Sequence, residues 1–283
     1  MSKKIFILTV ILLGYKIVFA ATPVVDSVLL EDDDETIANE LDLNLGTTKL
    51  INCSGAVSDA DGTSDIDIVS AVLYDNETSS PDAADDDNKH YTNSTCDTTV
   101  LDADTLNYDC LFNVQFHANP ALWACNVTVN DTAGSKGTEV DNSTITELMG
   151  IDVEDSNIDF DSLKVGEDTG TVDQIKTITN NGNVDIDINL EVLGSIYNHN
   201  LSMNCTVGSI NASYERWSLT AGTDYTLKDK SVSDGIGTDI SNFNLLKGAS
   251  STKDIFWGMK IPLTPIASGN CSGTVIFTAI VDT

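Results

Sequence analysis

Hydrophobic and polar residues alternate with a period of two along much of this chain, and few segments carry the longer period of a helix. Tyr108, Cys110, Phe112, Val114 and Phe116 fall on one face, with Asp109, Asn113, Gln115 and His117 on the other. Trp123, Cys125, Val127 and Val129 repeat the pattern against Asn126, Thr128 and Asn130, and Asp131-Thr132-Ala133-Gly134 supplies a turn into another strand. In the second half, Val184, Ile186, Ile188, Leu190 and Val192 alternate with Asp185, Asp187, Asn189 and Glu191. Leu201, Met203, Cys205 and Val207 read as a further inward face, as do Ile255, Trp257, Met259 and Ile261. Asn180-Asn181-Gly182-Asn183 reads as a hairpin turn, because Asn and Gly accept positive φ at low cost. Roughly thirteen to sixteen short strands separated by turn residues predict an all-β chain rather than an α/β enzyme core.

The first residues predict the compartment. Lys3 and Lys4 precede an apolar stretch, Ile5 to Tyr15, and Val18-Phe19-Ala20 offers small residues to a signal peptidase, so residues 1–20 are expected to be a signal peptide. The stretch is short for a membrane span and Lys16 interrupts it. Ile5 also stands where a prepilin-type signal usually has Gly or Ala. At the other end, Val275 to Val281 reads as a last strand with no apolar tail after it, so the mature chain is expected to carry no membrane span. Between these ends the length suits two tandem Ig-like β-sandwich domains, residues 21–150 and 151–283, divided near Gly150 and Glu154-Asp155-Ser156. The acidic passage from Asp75 to Asn88 reads as a mobile loop of the first.

Six cysteines behind a secretion signal imply disulfides. Cys53 and Cys125 each take an inward strand position and stand 72 residues apart, which looks like the inter-sheet bond of an Ig-type sandwich. Cys96 with Cys110 then closes a local connection, and Cys205 with Cys271 closes the second domain. Four cysteines adjoin the asparagine of an N-x-S/T sequon: Asn52-Cys53, Cys125-Asn126, Asn204-Cys205 and Asn270-Cys271. Since neighbours in a strand face opposite ways, each pair can send sulfur inward and a glycan acceptor outward. With Asn76, Asn93, Asn130, Asn142, Asn200 and Asn211 the sequons are about twice as many as composition alone would give, and glycosylation is expected.

Charge narrows the partners. Forty-four acidic residues against 14 basic ones give a net charge of −30, which excludes nucleic acid and anionic lipid as natural ligands and favours divalent cations or plain solubility. The best metal candidate is Ser58 to Asp67, where Asp59, Asp61, Asp65 and Asp67 alternate around Gly62 and could converge oxygens on Ca2+. The stretch lacks the closing Glu and helical flanks of an EF-hand, and a solvated turn is the competing reading. The acidic run Glu31 to Glu35 reads as an exposed loop. No residue is expected to bind any other cofactor. His90, His117 and His199 are isolated and read as surface residues, and no nucleophile elbow, phosphate loop or zinc motif is present, so no catalytic residue is expected.

Val57-Ser58-Asp59-Ala60-Asp61-Gly62, with Trp123-x-Cys125-x-Val127-x-Val129-x-Asp131, resembles Ig-like modules of secreted archaeal surface proteins. Ile178-Thr179-Asn180-Asn181-Gly182-Asn183-Val184-Asp185-Ile186 is similar to a hairpin of TasA-like and camelysin-like filament domains, and Ile261-Pro262 with Gly269 to Thr274 to the end of such domains. The resemblance implies fold and setting. The peptidase activity of camelysins does not carry over, since no metal-binding histidine pair stands here. The expectation is a secreted or cell-surface structural or adhesive protein that self-associates in an envelope layer or filament. The alternative is a calcium-assisted binding module for a glycan or a protein partner.

Overall fold

The computed structural model describes residues 21–34, 37–194, 200–232, 237–240 and 242–281, so the predicted signal peptide, Glu35 and His199 lie outside the described residues. Nine strands precede residue 146: β1 (Val24–Asp32), β2 (Glu40–Leu41), β3 (Lys49–Ser58), β4 (Ile66–Asp75), β5 (His90–Asn93), β6 (Asp97–Val100), β7 (Thr105–Val114), β8 (Ala121–Asp131) and β9 (Lys136–Ile145). They form two facing sheets, β1-β3-β7-β6 and β2-β9-β8-β4-β5. Period-two alternation builds this sandwich directly, because β7 buries Leu106, Tyr108, Cys110, Phe112 and Val114 and exposes the residues between them. β8 meets that face with Trp123, Cys125, Val127 and Val129.

The Cys53–Cys125 disulfide joins β3 of one sheet to β8 of the other, with Cα atoms 6.5 Å apart. Cys110 lies directly opposite Cys53 in the β3–β7 ladder and bonds Cys96, so the two bridges are neighbours in the core. The Trp123 indole, fully buried, donates to the Asn119 carbonyl at 2.9 Å, and the Tyr108 hydroxyl donates to the Ser27 carbonyl at 2.8 Å.

Eleven further strands follow: β10 (Ile151–Val153), β11 (Gln174–Asn180), β12 (Ile186–Leu193), β13 (Leu201–Val207), β14 (Ser209–Asn211), β15 (Glu215–Ser218), β16 (Asp229–Lys230), β17 (Thr238–Asp239), β18 (Thr252–Met259), β19 (Ser268–Ser272) and β20 (Thr274–Val281). The sheets are β10-β11-β18-β15-β16, β17-β12-β20 and β14-β13-β19. Their buried residues, led by Trp257, Phe243, Ile188 and Leu190, form a hydrophobic cluster separate from that of residues 25–145. The fold class is all-β, built of packed sheets, and two 3-10 turns are the only helical elements among the described residues. No helix of the described residues is long and apolar enough to cross a membrane.

Three local expectations are corrected. Asn180 to Asn183 does not close a hairpin: β11 pairs with β10 and β18, while β12 joins another sheet, and none of the four residues has positive φ. The segment is a crossing between sheets, and its asparagines serve as backbone mimics. Asn180 Nδ2 donates to the Val184 carbonyl at 2.8 Å, Asn183 Oδ1 accepts from the Leu148 amide at 2.7 Å, and Asn183 Nδ2 donates to the Thr146 carbonyl at 2.8 Å. Secondly, in β13 the inward parity fails, because Ser202 is buried while Cys205 is half-exposed and Val207 exposed. Cys205 and Cys271 bond directly across the β13–β19 ladder. Thirdly, the acidic run is not a simple loop. Glu31 and Asp32 belong to β1, and the buried Lys49 ammonium reaches Asp33 at 2.7 Å and Asp34 at 3.0 Å.

The crossing makes a prediction. A Cβ at Gly182 would stand 2.0 Å from the Leu148 carbonyl oxygen, so Gly182→Ala must push the two segments apart. Urea unfolding should show a loss of about 1–3 kcal/mol, whereas Gly170→Ala, where the added atom meets nothing, should show only the smaller backbone effect of its positive φ.

Candidate functional site

The turn between β3 and β4 is held from several sides. The Asp59 amide donates to the Asp104 carbonyl at 2.9 Å and the Thr63 amide to the Ala103 carbonyl at 3.0 Å. The Thr132 amide, in the β8–β9 turn, donates to the Asp65 carbonyl at 2.8 Å, and the Thr132 hydroxyl donates to the Asp65 carboxylate. Three carboxylates are thereby gathered: Asp59, Asp65 and Asp131 present oxygens within 4.8 Å of one another. Asp59 is 2% exposed and Asp131 3% exposed. Each spends one oxygen on a backbone amide, Asp59 on Asp61 at 2.9 Å and Asp131 on Ser135 at 2.7 Å. The second oxygen of each is enclosed without a donor. Burial acts to raise the Asp131 carboxyl, but the amides of residues 133–135 outweigh it and hold it below the usual carboxylate range.

Of the four aspartates expected around Gly62, only Asp59 and Asp65 enter this group. Asp61 is exposed and its carboxylate accepts from the Ala21 amide at 2.6 Å. Asp67 is the extra residue of a bulge in β4, which turns it outward to solvent. Asp131 was legible only as a turn residue, since the β4–β8 pairing that brings it in spans some sixty residues of chain.

The histidines are also placed differently from expectation. His90 and His117 are 1% and 4% exposed, roofed by the 75–90 passage. His90 Nδ1 lies 3.1 Å from Asp85 Oδ1, and His117 Nδ1 3.2 Å from Asn88 Oδ1. Burial lowers the His117 pKa. That passage is tied down rather than loose. Buried Asp75 accepts from the Glu77 and Thr78 amides, the Thr78 hydroxyl and Asn119 Nδ2, and Asn119 in turn meets the Lys247 ammonium. Among the sequon asparagines, Asn76, Asn142, Asn200, Asn204, Asn211 and Asn270 are exposed, while Asn52, Asn93, Asn126 and Asn130 are half-buried.

The second notable region lies along β20. Among the described residues this strand pairs only with β12. Ile186 exchanges backbone hydrogen bonds with Leu245, and the Ile188 carbonyl accepts from the Ile240 amide, on the far side of β12, so Asp187, Asn189, Glu191 and Leu193 face β20. Their partners are Ile280, Thr278, Ile276 and Thr274, which leaves the N–H and C=O groups of Val275, Phe277, Ala279 and Val281 directed away from the ladder. No residue of β20 is fully buried, although six of its eight are apolar. Beside it opens a groove of about 600 Å³, lined in part by Phe160, Met203, Glu215, Val275 and Phe277. Sequence parity could have found Glu215, which shares the inward face of β15 with Trp217.

No family model matches the chain. No curated protein matches it either. Among solved structures it is similar to the CsuC-CsuE chaperone-tip adhesion subunit pre-assembly complex from archaic chaperone-usher Csu pili of Acinetobacter baumannii. That match has 12% identity and a TM-score of 0.41, over 85% of this chain and 96% of that one. It is also similar to the C-terminal domain of the AgI/II polypeptide BspA of Streptococcus agalactiae, at 15% identity and a TM-score of 0.24, over 92% of this chain and 96% of that one. Superpositions at this level carry no function across.

Proposed function

We propose that the chain is an extracellular surface protein with a structural or adhesive role, built of two domains over residues 21–150 and 151–283, that assembles with copies of itself by strand addition along β20. The observation that supports this most is the apolar edge of β20, unpaired among the described residues, beside an open groove. A strand laid there would satisfy the outward groups of Val275, Phe277 and Ala279 and cover their half-buried side chains. Three disulfides and no free cysteine suit an oxidising extracellular setting.

Light scattering and electron microscopy of the oxidised protein test the reading. The wild-type chain should form concentration-dependent oligomers or filaments. Ala279→Pro removes an N–H that points away from β12, so it should block the edge while the β12 ladder and the circular dichroism spectrum persist. A wild-type chain that stays monomeric at high concentration, or assembly unaffected by Ala279→Pro, would refute strand addition.

A further inference from the structure

We propose that Asp59, Asp65 and Asp131 form a Ca2+ site that locks the β3–β4 turn to the β8–β9 turn. The inference is independent of assembly along β20, because the three residues belong to the other sandwich and to its end away from the 146–150 and 180–183 contact. Its basis is a mismatch in the polar accounting of the fold. Two aspartates nine-tenths or more buried each keep one oxygen enclosed with no donor, and a third carboxylate lies within 4.8 Å of both. An unpaired buried carboxylate oxygen is strongly unfavourable, and grouping three negative side chains adds repulsion. A divalent cation relieves both at once.

The other acidic cluster sharpens the contrast. Asp32, Asp33 and Asp34 also converge, but the Lys49 ammonium already sits among them. No lysine or arginine among the described residues forms such an ion pair with Asp59, Asp65 or Asp131. The donor chemistry is entirely oxygen, which selects hard cations over zinc or copper. The ligands come from the two ends of one turn and from the end of a separate strand, an irregular set that suits the adaptable shell of Ca2+ better than the strict octahedron of Mg2+.

Equilibrium dialysis of the full, oxidised chain against Ca2+ tests the assignment, with thermal melts in Ca2+ and in chelator as a second readout. The wild-type protein should take up Ca2+ saturably and melt higher in its presence. Asp131→Asn should weaken uptake by about tenfold or more and abolish the melting shift. Asp65→Asn, at a half-exposed position, should do the same even if Asp131→Asn does not fold. In chelator Asp65→Asn should melt no lower than wild type, since it removes one of three crowded charges. Asp67→Asn and Asp33→Asn should leave uptake unchanged. Absence of saturable uptake, uptake untouched by Asp65→Asn, or an equal response to Mg2+ would each overturn the assignment.

Discussion

Raising the pH from about 5 to about 8 is expected to destabilise the protein by several kcal/mol through one side chain, and Glu215→Gln should abolish that loss. Glu215 opens β15 on the inward face and is 2% exposed. Burial pushes its carboxyl up to about 8, and a hydrogen bond with the Ser202 side chain offsets only part of this. The folded-state pKa thus lies above the unfolded one. The native protein holds the proton, and the stabilisation is fully present below the unfolded pKa. It is lost progressively as pH climbs towards 8, to a total of roughly 5 kcal/mol. Buried His117, with its pKa lowered, acts with the opposite sign, because its cost appears as pH falls. Urea unfolding of wild type and Glu215→Gln in parallel isolates the glutamate, since every other group is common to both. The variant should be the more stable of the two at pH 8 and show a flatter profile. Parallel profiles would mean that Glu215 is ionised in the native state.

The strands that carry the cores were legible because their signal is local. In β7, β8, β12 and β18 every second residue is apolar, and a sheet with one covered face turns that parity directly into burial. The Cys53–Cys125 bridge followed from the same parity together with spacing, whereas Cys205 bonds Cys271 although its own inward parity fails. What was not legible depends on which strand lies beside which. Asn180 to Asn183 has turn chemistry, but a hairpin and a sheet crossing use the same residues, and the choice rests on β11 pairing with β18 rather than β12. Asp131 joins Asp59 and Asp65 only through the β4–β8 ladder. Lys49 and the acids of β1 meet because β1 and β3 pair antiparallel, with Asp32 opposite Ile51. His90 and His117 looked solvated because neither stands in a ligand motif, whereas Asp85 and Asn88 of the acidic passage lie against their rings. In each case the residue type was visible and its partner was not.

Lys228→Met is expected to cost about 3–5 kcal/mol, far more than removal of a surface lysine. The Lys228 side chain is completely buried, and its ammonium lies 2.5 Å from Asp173 Oδ1 and donates to the Phe256 carbonyl at 3.2 Å. Asp173 is 9% exposed and its other oxygen accepts from the Gly222 amide at 2.6 Å. Room for the lysine stem comes from Gly258, where an added Cβ would lie 3.2 Å from Lys228 Cδ and Cε. The pair therefore pins the 219–228 segment across β18. Removing the lysine leaves a carboxylate with one amide donor and no cation, whereas removing both charges leaves nothing unpaired. Lys228→Met combined with Asp173→Leu should accordingly recover much of the loss. The coupling in a double-mutant cycle, measured by urea unfolding, should reach about 2 kcal/mol or more. A single-variant loss below about 1 kcal/mol, with additive effects in the double variant, would mean that the pair behaves as a solvent-screened surface contact.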